Sequence, residues 1–145
     1  MPNIGPATKA TRAIVEALYA DYVAGDLEKT AARLAEDVDW AILAPEYLFD
    51  FAGARRGRAG VLAAFLEIRR AYEFLAYEPQ FVMADGDHAC VYVLAKVRDR
   101  ATGRTAEIEL CDVMRLEGGR IVWFREFVDS VRAAVDFFGG PADAA

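Results

Sequence analysis

Histidine is almost absent from this sequence: His88 is the one example in 145 residues. That excludes a multi-histidine metal centre and any serine–histidine triad built without His88. The residue lies in Asp85-Gly86-Asp87-His88, a turn sequence, and is expected in solvent. Cysteine is scarce too. Cys90 and Cys111 show neither metal-ligand nor redox-motif spacing, and each sits in an apolar, strand-like run. Both read as buried reduced thiols of a cytoplasmic protein. No apolar run is long enough to span a bilayer, and the first residues lack a signal-type apolar segment. Basic side chains number 17 against 23 acidic ones, a net charge of −6. That balance argues against nucleic acid or an anionic membrane as partner. Repeats, linkers and low-complexity blocks are also missing. A single domain over residues 1–145 is expected, ordered from about 8 to 139, with no metal and no cofactor.

What is present is apolar. Hydrophobic residues make up 55% of the chain, more than a core of this size needs, so some apolar surface should meet a ligand or a second copy. Helical spacing runs from about Thr8 through Ile14, Val15, Leu18, Tyr22 and Val23, with Gly25 placed to end the helix and Asp26 to cap a second. Val38, Trp40 and Ile42 alternate as a first strand. Tyr47, Phe49 and Phe51 follow on an irregular stretch, as a plug over the core or a flap over a cavity. Arg55, Arg56 and Arg58 precede a third helix with Val61, Leu62, Phe65, Ile68 and Tyr72 inward. That basic cluster reads as a solvated face more readily than as an anion site. From Phe74 the period is two, giving strands near 75–84, 88–98, 104–116 and 120–130, and a last helix follows from Val131 to Phe138. Helices first and a long antiparallel meander after make an α+β fold: a cone-shaped curved sheet with the N-terminal helices on its concave face.

The chemistry concentrates in the last hairpin, where Asp112 and Glu126 stand among large apolar side chains. A buried carboxylate costs several kcal/mol unless paired, protonated or facing a wet cavity. Treating Glu117-Gly118-Gly119 as a three-residue loop pairs Leu116 with Arg120 and puts Asp112 and Glu126 on one face with Met114 and Phe124. A two-residue Gly118-Gly119 turn would bring Arg125 to that face instead. The three-residue loop is favoured because it gathers the apolar set. A three-residue loop at Ala101-Thr102-Gly103 likewise sets Tyr92 opposite Asp112. The expected site is an apolar bowl with Asp112 and Glu126 as its acid/base pair, and Trp40, Tyr92, Met114, Phe124 and Tyr22 as its ligand-binding wall. Such a pair can hold one proton near neutral pH, polarise a ligand carbonyl and abstract a proton. A purely structural role stands beside it, with Asp112 bonded to a backbone amide and Glu126 paired to Lys96 or Arg125. Dimerisation is expected through the odd-numbered sheet face, which carries Trp123 and Phe127.

Several stretches resemble one family. Ala17-Leu18-Tyr19, Ala24-Gly25-Asp26-Leu27, Glu36-Asp37-Val38-Asp39-Trp40, Arg56-Gly57-Arg58-Ala59-Gly60-Val61, Ala84-Asp85-Gly86-Asp87, Ala101-Thr102-Gly103-Arg104 and the run from Gly119 to Ser130 are similar to the SnoaL-like, ketosteroid-isomerase-related branch of the nuclear-transport-factor-2-like superfamily. The resemblance covers roughly Ala10 to Phe138. It implies a small-molecule-binding homodimer, either an isomerase or cyclase acting on a small apolar molecule or a non-catalytic binding or dimerisation module. By position, Asp112 is similar to the buried acid that donates to the substrate oxyanion in ketosteroid isomerases. The family's oxyanion tyrosine falls on Leu18 and its general-base aspartate on Ile42. The arginine of limonene epoxide hydrolases falls on Leu110, and Asp129 lies near the base of SnoaL-type cyclases.

Overall fold

A computed structural model describes residues 5–139; the start of the expected leader and the alanine-rich tail lie outside them. The first helix, α1 (Pro6–Val23), opens on proline, whose missing N–H is no loss in a first turn. It ends in a Schellman motif: Gly25 at φ 80° donates to Tyr22 O and Asp26 donates to Asp21 O, both at 3.0 Å. The Asp26 side chain then caps α2 (Leu27–Ala32), accepting from the Lys29 amide at 3.0 Å. Two helices thus meet at a sharp corner with almost no linker.

After that corner the chain runs as β1 (Leu34–Leu43), β2 (Gly53–Arg56), α3 (Gly57–Ala71), β3 (Tyr72–Asp85), β4 (His88–Asp99), β5 (Thr105–Glu117), β6 (Arg120–Val128) and α4 (Ser130–Phe138). The strands form one curved, unclosed six-stranded sheet in the order β2-β1-β6-β5-β4-β3. The meander from β3 to β6 is antiparallel, as is β1 with β2, while β1 and β6 run parallel. This parallel contact carries Trp40 beside Phe124 and Ile42 beside Glu126. It joins the two ends of the chain at the centre of the sheet.

Burial follows the alternation. On β4 the inward residues are Ala89, Val91, Val93, Ala95 and Val97, and on β5 they are Ala106, Ile108, Leu110, Asp112, Met114 and Leu116. Val15, Leu18, Tyr19 and Tyr22 of α1 and Val61 and Phe65 of α3 close the same core. Three helix assignments differ from the sequence pattern. Val23 is 51% exposed at the fraying end of α1. Ala64 is buried where Leu62 was expected, and Tyr72 already belongs to β3. Within the irregular stretch, Phe49 is buried in the core and Tyr47 is 87% exposed. Two of the three clustered arginines make contacts within the fold: Arg58 donates to Leu34 O and Arg55 pairs with Glu67. No described helix is long and apolar enough to cross a membrane.

Candidate functional site

The last hairpin resolves the parity of the two acids by two compensating steps. Gly118 and Gly119, at φ 55° and 78°, form a two-residue turn in which Glu117 faces Arg120 and Leu116 faces Ile121. Positive φ at both central positions is the type I′ pattern, open to glycine at no steric cost. Left uninterrupted, that register would bring Arg125 inward. A β-bulge at Val122 inserts one extra residue, so Arg115 faces Trp123, Met114 faces Phe124, and Asp112 faces Glu126 directly. The turn expected to have three residues has two, and the bulge returns both acids to one face. Arg125 points outward, where it pairs with Asp39 at 3.0 Å and lies over the Trp123 ring.

Asp112 is 1% exposed. Its Oδ2 accepts a hydrogen bond from the Tyr19 hydroxyl of α1, while Oδ1 has no amide or hydroxyl donor. The group facing it across the hairpin is Glu126, close enough for each carboxyl to shift the proton affinity of the other. Burial pushes Asp112 up to about 7, with the hydrogen bonds from Tyr19 and Glu126 pulling the other way. Burial also holds Glu126 well above the carboxylate range, reinforced by the Asp112 charge and by their hydrogen bond. One proton on the pair therefore survives to near neutral pH, because two adjacent carboxylates cannot both ionise cheaply in an apolar setting. Glu126 keeps partial accessibility on the same face, so it is the member of the pair open to the interior.

That interior is a partly open cavity with about 90 Å³ available to the centres of water-sized molecules, ample for a small molecule. Asp112, Glu126, Tyr22, Trp40 and Phe124 line it. Trp40 stacks on Phe124 at 3.7 Å between ring centroids and 3° between planes, and its buried Nε1 has no hydrogen-bond acceptor. Phe51, from the irregular stretch, reaches the cavity as well.

Two expected wall residues lie elsewhere. Tyr92 faces Cys111, not Asp112, and its hydroxyl donates to Glu109 on the outer face of the sheet. The cause is one residue in the β4–β5 loop: Asp99 and Arg104 pair at its base, leaving four residues, Arg100–Gly103, instead of three. Val91 takes the place opposite Asp112. Met114 is fully buried beneath the cavity rather than lining it. Two tyrosines that sequence reasoning passed over belong to the wall, Tyr19 and Tyr77. Tyr19 is four residues beyond Val15 on the inner stripe of α1, a signal that was present. Tyr77 comes inward only through a bulge between Phe74 and Ala76 that re-phases β3. Both hydroxyls are held well above the ordinary tyrosine range, first by burial and then by the nearby Asp112 charge. Cys90 and Cys111 are half-buried free thiols on the outer face, with Sγ atoms 3.4 Å apart. No cluster of three or more metal-ligating side chains occurs among the described residues.

Comparison with known proteins agrees with this geometry at the level of fold. No curated protein matches the chain. A candidate isomerase from Rhodopseudomonas palustris is 26% identical with a TM-score of 0.75, the match covering 86% of this chain and 93% of that one. A nuclear-transport-factor-2-like protein from Burkholderia xenovorans is also 26% identical, with a TM-score of 0.78 over 92% and 98% of the two chains. A limonene-epoxide-hydrolase-like epoxide hydrolase from Mycobacterium tuberculosis shares the fold at 19% identity and a TM-score of 0.70, over 95% of this chain and 93% of that one. A profile of the SnoaL-like domain matches residues 15–124, so this chain belongs to the SnoaL-like domain family.

Proposed function

We propose that the protein binds a small, largely apolar molecule in this cavity and moves a proton on it, as an isomerase or cyclase of the acid/base kind. The observation that carries the reading is the Asp112–Glu126 pair, set directly across a hairpin in an apolar cavity and fixed from behind by Tyr19. In this reading Glu126, the accessible member, exchanges the proton with the ligand. Asp112 accepts the resulting charge redistribution, and Tyr19 holds it in place. The free indole N–H of Trp40 offers a donor to a ligand oxygen. The family resemblance to isomerases is consistent with this chemistry, although Leu18 and Ile42 occupy the positions of two usual catalytic groups, so the proton must travel through the pair itself.

The test is α-proton exchange. A panel of small cyclic ketones is incubated with the protein in deuterated buffer and followed by NMR. Exchange at least tenfold above buffer for some member, abolished in Glu126→Gln, supports the reading. Exchange at the buffer rate across the panel, with ligands still bound, favours the alternative of a non-catalytic binding module. We also propose a homodimer through the outer sheet face, supported by the exposure of Phe81, Met83 and Phe127 there.

A further inference from the structure

We propose that the ligand of this cavity carries a cationic nitrogen: an apolar amine or quaternary ammonium whose positive end sits against Asp112 and Glu126. The inference rests on the cavity being a ligand site, as argued above, and not on any reaction occurring there. Three features of the wall point the same way. Among the described residues its ionisable groups besides tyrosines are two carboxyls, and no lysine, arginine or histidine lines it. Ten of its twenty-one side chains are aromatic, and ring faces attract cations most strongly where water is excluded. Asp112, 99% removed from solvent, presents Oδ1 with no donor from amide or hydroxyl, a buried acceptor that the protein supplies with nothing but a shared proton.

Tyr19 and Tyr22 face the pair from α1 and Tyr77 faces it from β3, all neutral at physiological pH. Cys90 lies behind the pair with its thiol pushed up to about 11, first by burial. A guanidinium close to the wall belongs to Arg69 on α3, which lies over the Tyr22 and Phe74 rings and donates to Tyr22 O. Arg69 is not among the residues lining the cavity; it is held by those rings and that carbonyl, its Nε has no acceptor, and its charge reaches the Tyr22 and Tyr77 hydroxyls, so it opposes part of the field of the pair. A bound cation would replace the shared proton as the partner of the second carboxylate, so binding below neutral pH must eject a proton.

Choline and its neutral carbon isostere 3,3-dimethylbutan-1-ol separate charge from shape, and neither titrates near neutrality. Isothermal titration calorimetry on the full chain at pH 8 is expected to show choline bound at least tenfold more tightly than the alcohol. At pH 6, in buffers of different ionisation enthalpy, choline binding is expected to release a substantial fraction of a proton. The Asp112→Asn/Glu126→Gln variant, which keeps both shapes and removes both charges, is expected to lose the preference while retaining its circular dichroism spectrum. Equal affinity for the two probes, or tighter binding of the alcohol, overturns the cationic ligand and leaves the acid/base reading standing. Binding of neither probe overturns it as well, and so does a choline preference that survives in the double variant.

Discussion

Tyr19 and Asp112 share a buried side-chain contact that links α1 to β5 across the core. Replacing Tyr19 with phenylalanine keeps the ring and removes the hydroxyl donor to Asp112 Oδ2. Such a loss costs about 1–3 kcal/mol of stability, readable by urea unfolding. It is also expected to push Asp112 further up, because the Tyr19 bond pulls that carboxyl down. A second outcome concerns the pair's own effect on stability. Both carboxyls hold protons more tightly in the folded than in the unfolded chain. For Asp112 the folded state therefore binds more protons between about pH 4 and about pH 7, and stability falls as pH rises through that window; Glu126, held well above the carboxylate range, extends the fall to higher pH. Below about pH 4 both contributions are fully present; above about pH 7 that of Asp112 is gone. Asp112→Asn/Glu126→Gln is expected to flatten that slope and to be more stable than the parent at pH 8, on the order of 1–4 kcal/mol, by urea unfolding at both ends of the range.

At the scale of elements, the β5–β6 hairpin depends on one inserted residue. Without the Val122 bulge the two-glycine turn would send Trp123, Arg125 and Phe127 inward and expel Phe124 and Glu126. Deleting Val122 removes the bulge together with its extra residue, so Phe124 and Glu126 keep their inward partners, and the variant is expected to fold with the site intact at a cost of about 0.5–3 kcal/mol, read by circular dichroism and urea unfolding. A deletion variant that folds with Arg125 inward and Glu126 in solvent would contradict the register argument. This hairpin also shows where sequence reasoning reaches and where it stops. The four meander strands, the caps at Gly25 and Asp26, and the inward direction of Asp112 and Glu126 were legible from period and turn chemistry. The turn length and the bulge were not, since neither leaves a mark in the alternation of so apolar a strand. Their two errors cancelled, and the pair was found for a partly mistaken reason. At the β4–β5 loop nothing cancelled, and Tyr92 was misplaced. The better signal there was the strand itself: Ala89, Val91, Val93, Ala95 and Val97 are all apolar, while His88, Lys96 and Arg98 mark the opposite face as solvent.

For the whole molecule, the closing of β1 against β6 is what makes a cavity out of a sheet. The parallel contact brings Trp40 and Ile42 alongside Phe124 and Glu126, and α1 and α3 cover them. The opposite face is left with Phe81 at 51%, Met83 at 60% and Phe127 at 49% exposure. A dimer at micromolar concentration is expected by sedimentation velocity, and Phe127→Arg is expected to shift it to monomer without loss of secondary structure. A monomeric parent protein would remove the dimer from the proposal and leave the cavity untouched. The cavity stands or falls with its carboxyl pair, and carbon-13 NMR of the side-chain carboxyls reads that pair directly. A titration from pH 3 to pH 9 is expected to show Asp112 and Glu126 both displaced upward, with a midpoint near 7 for Asp112 and one proton retained into the neutral range. If both instead titrate near pH 4, as carboxyls do in unstructured peptides, the shared proton does not exist and the acid/base function fails with it.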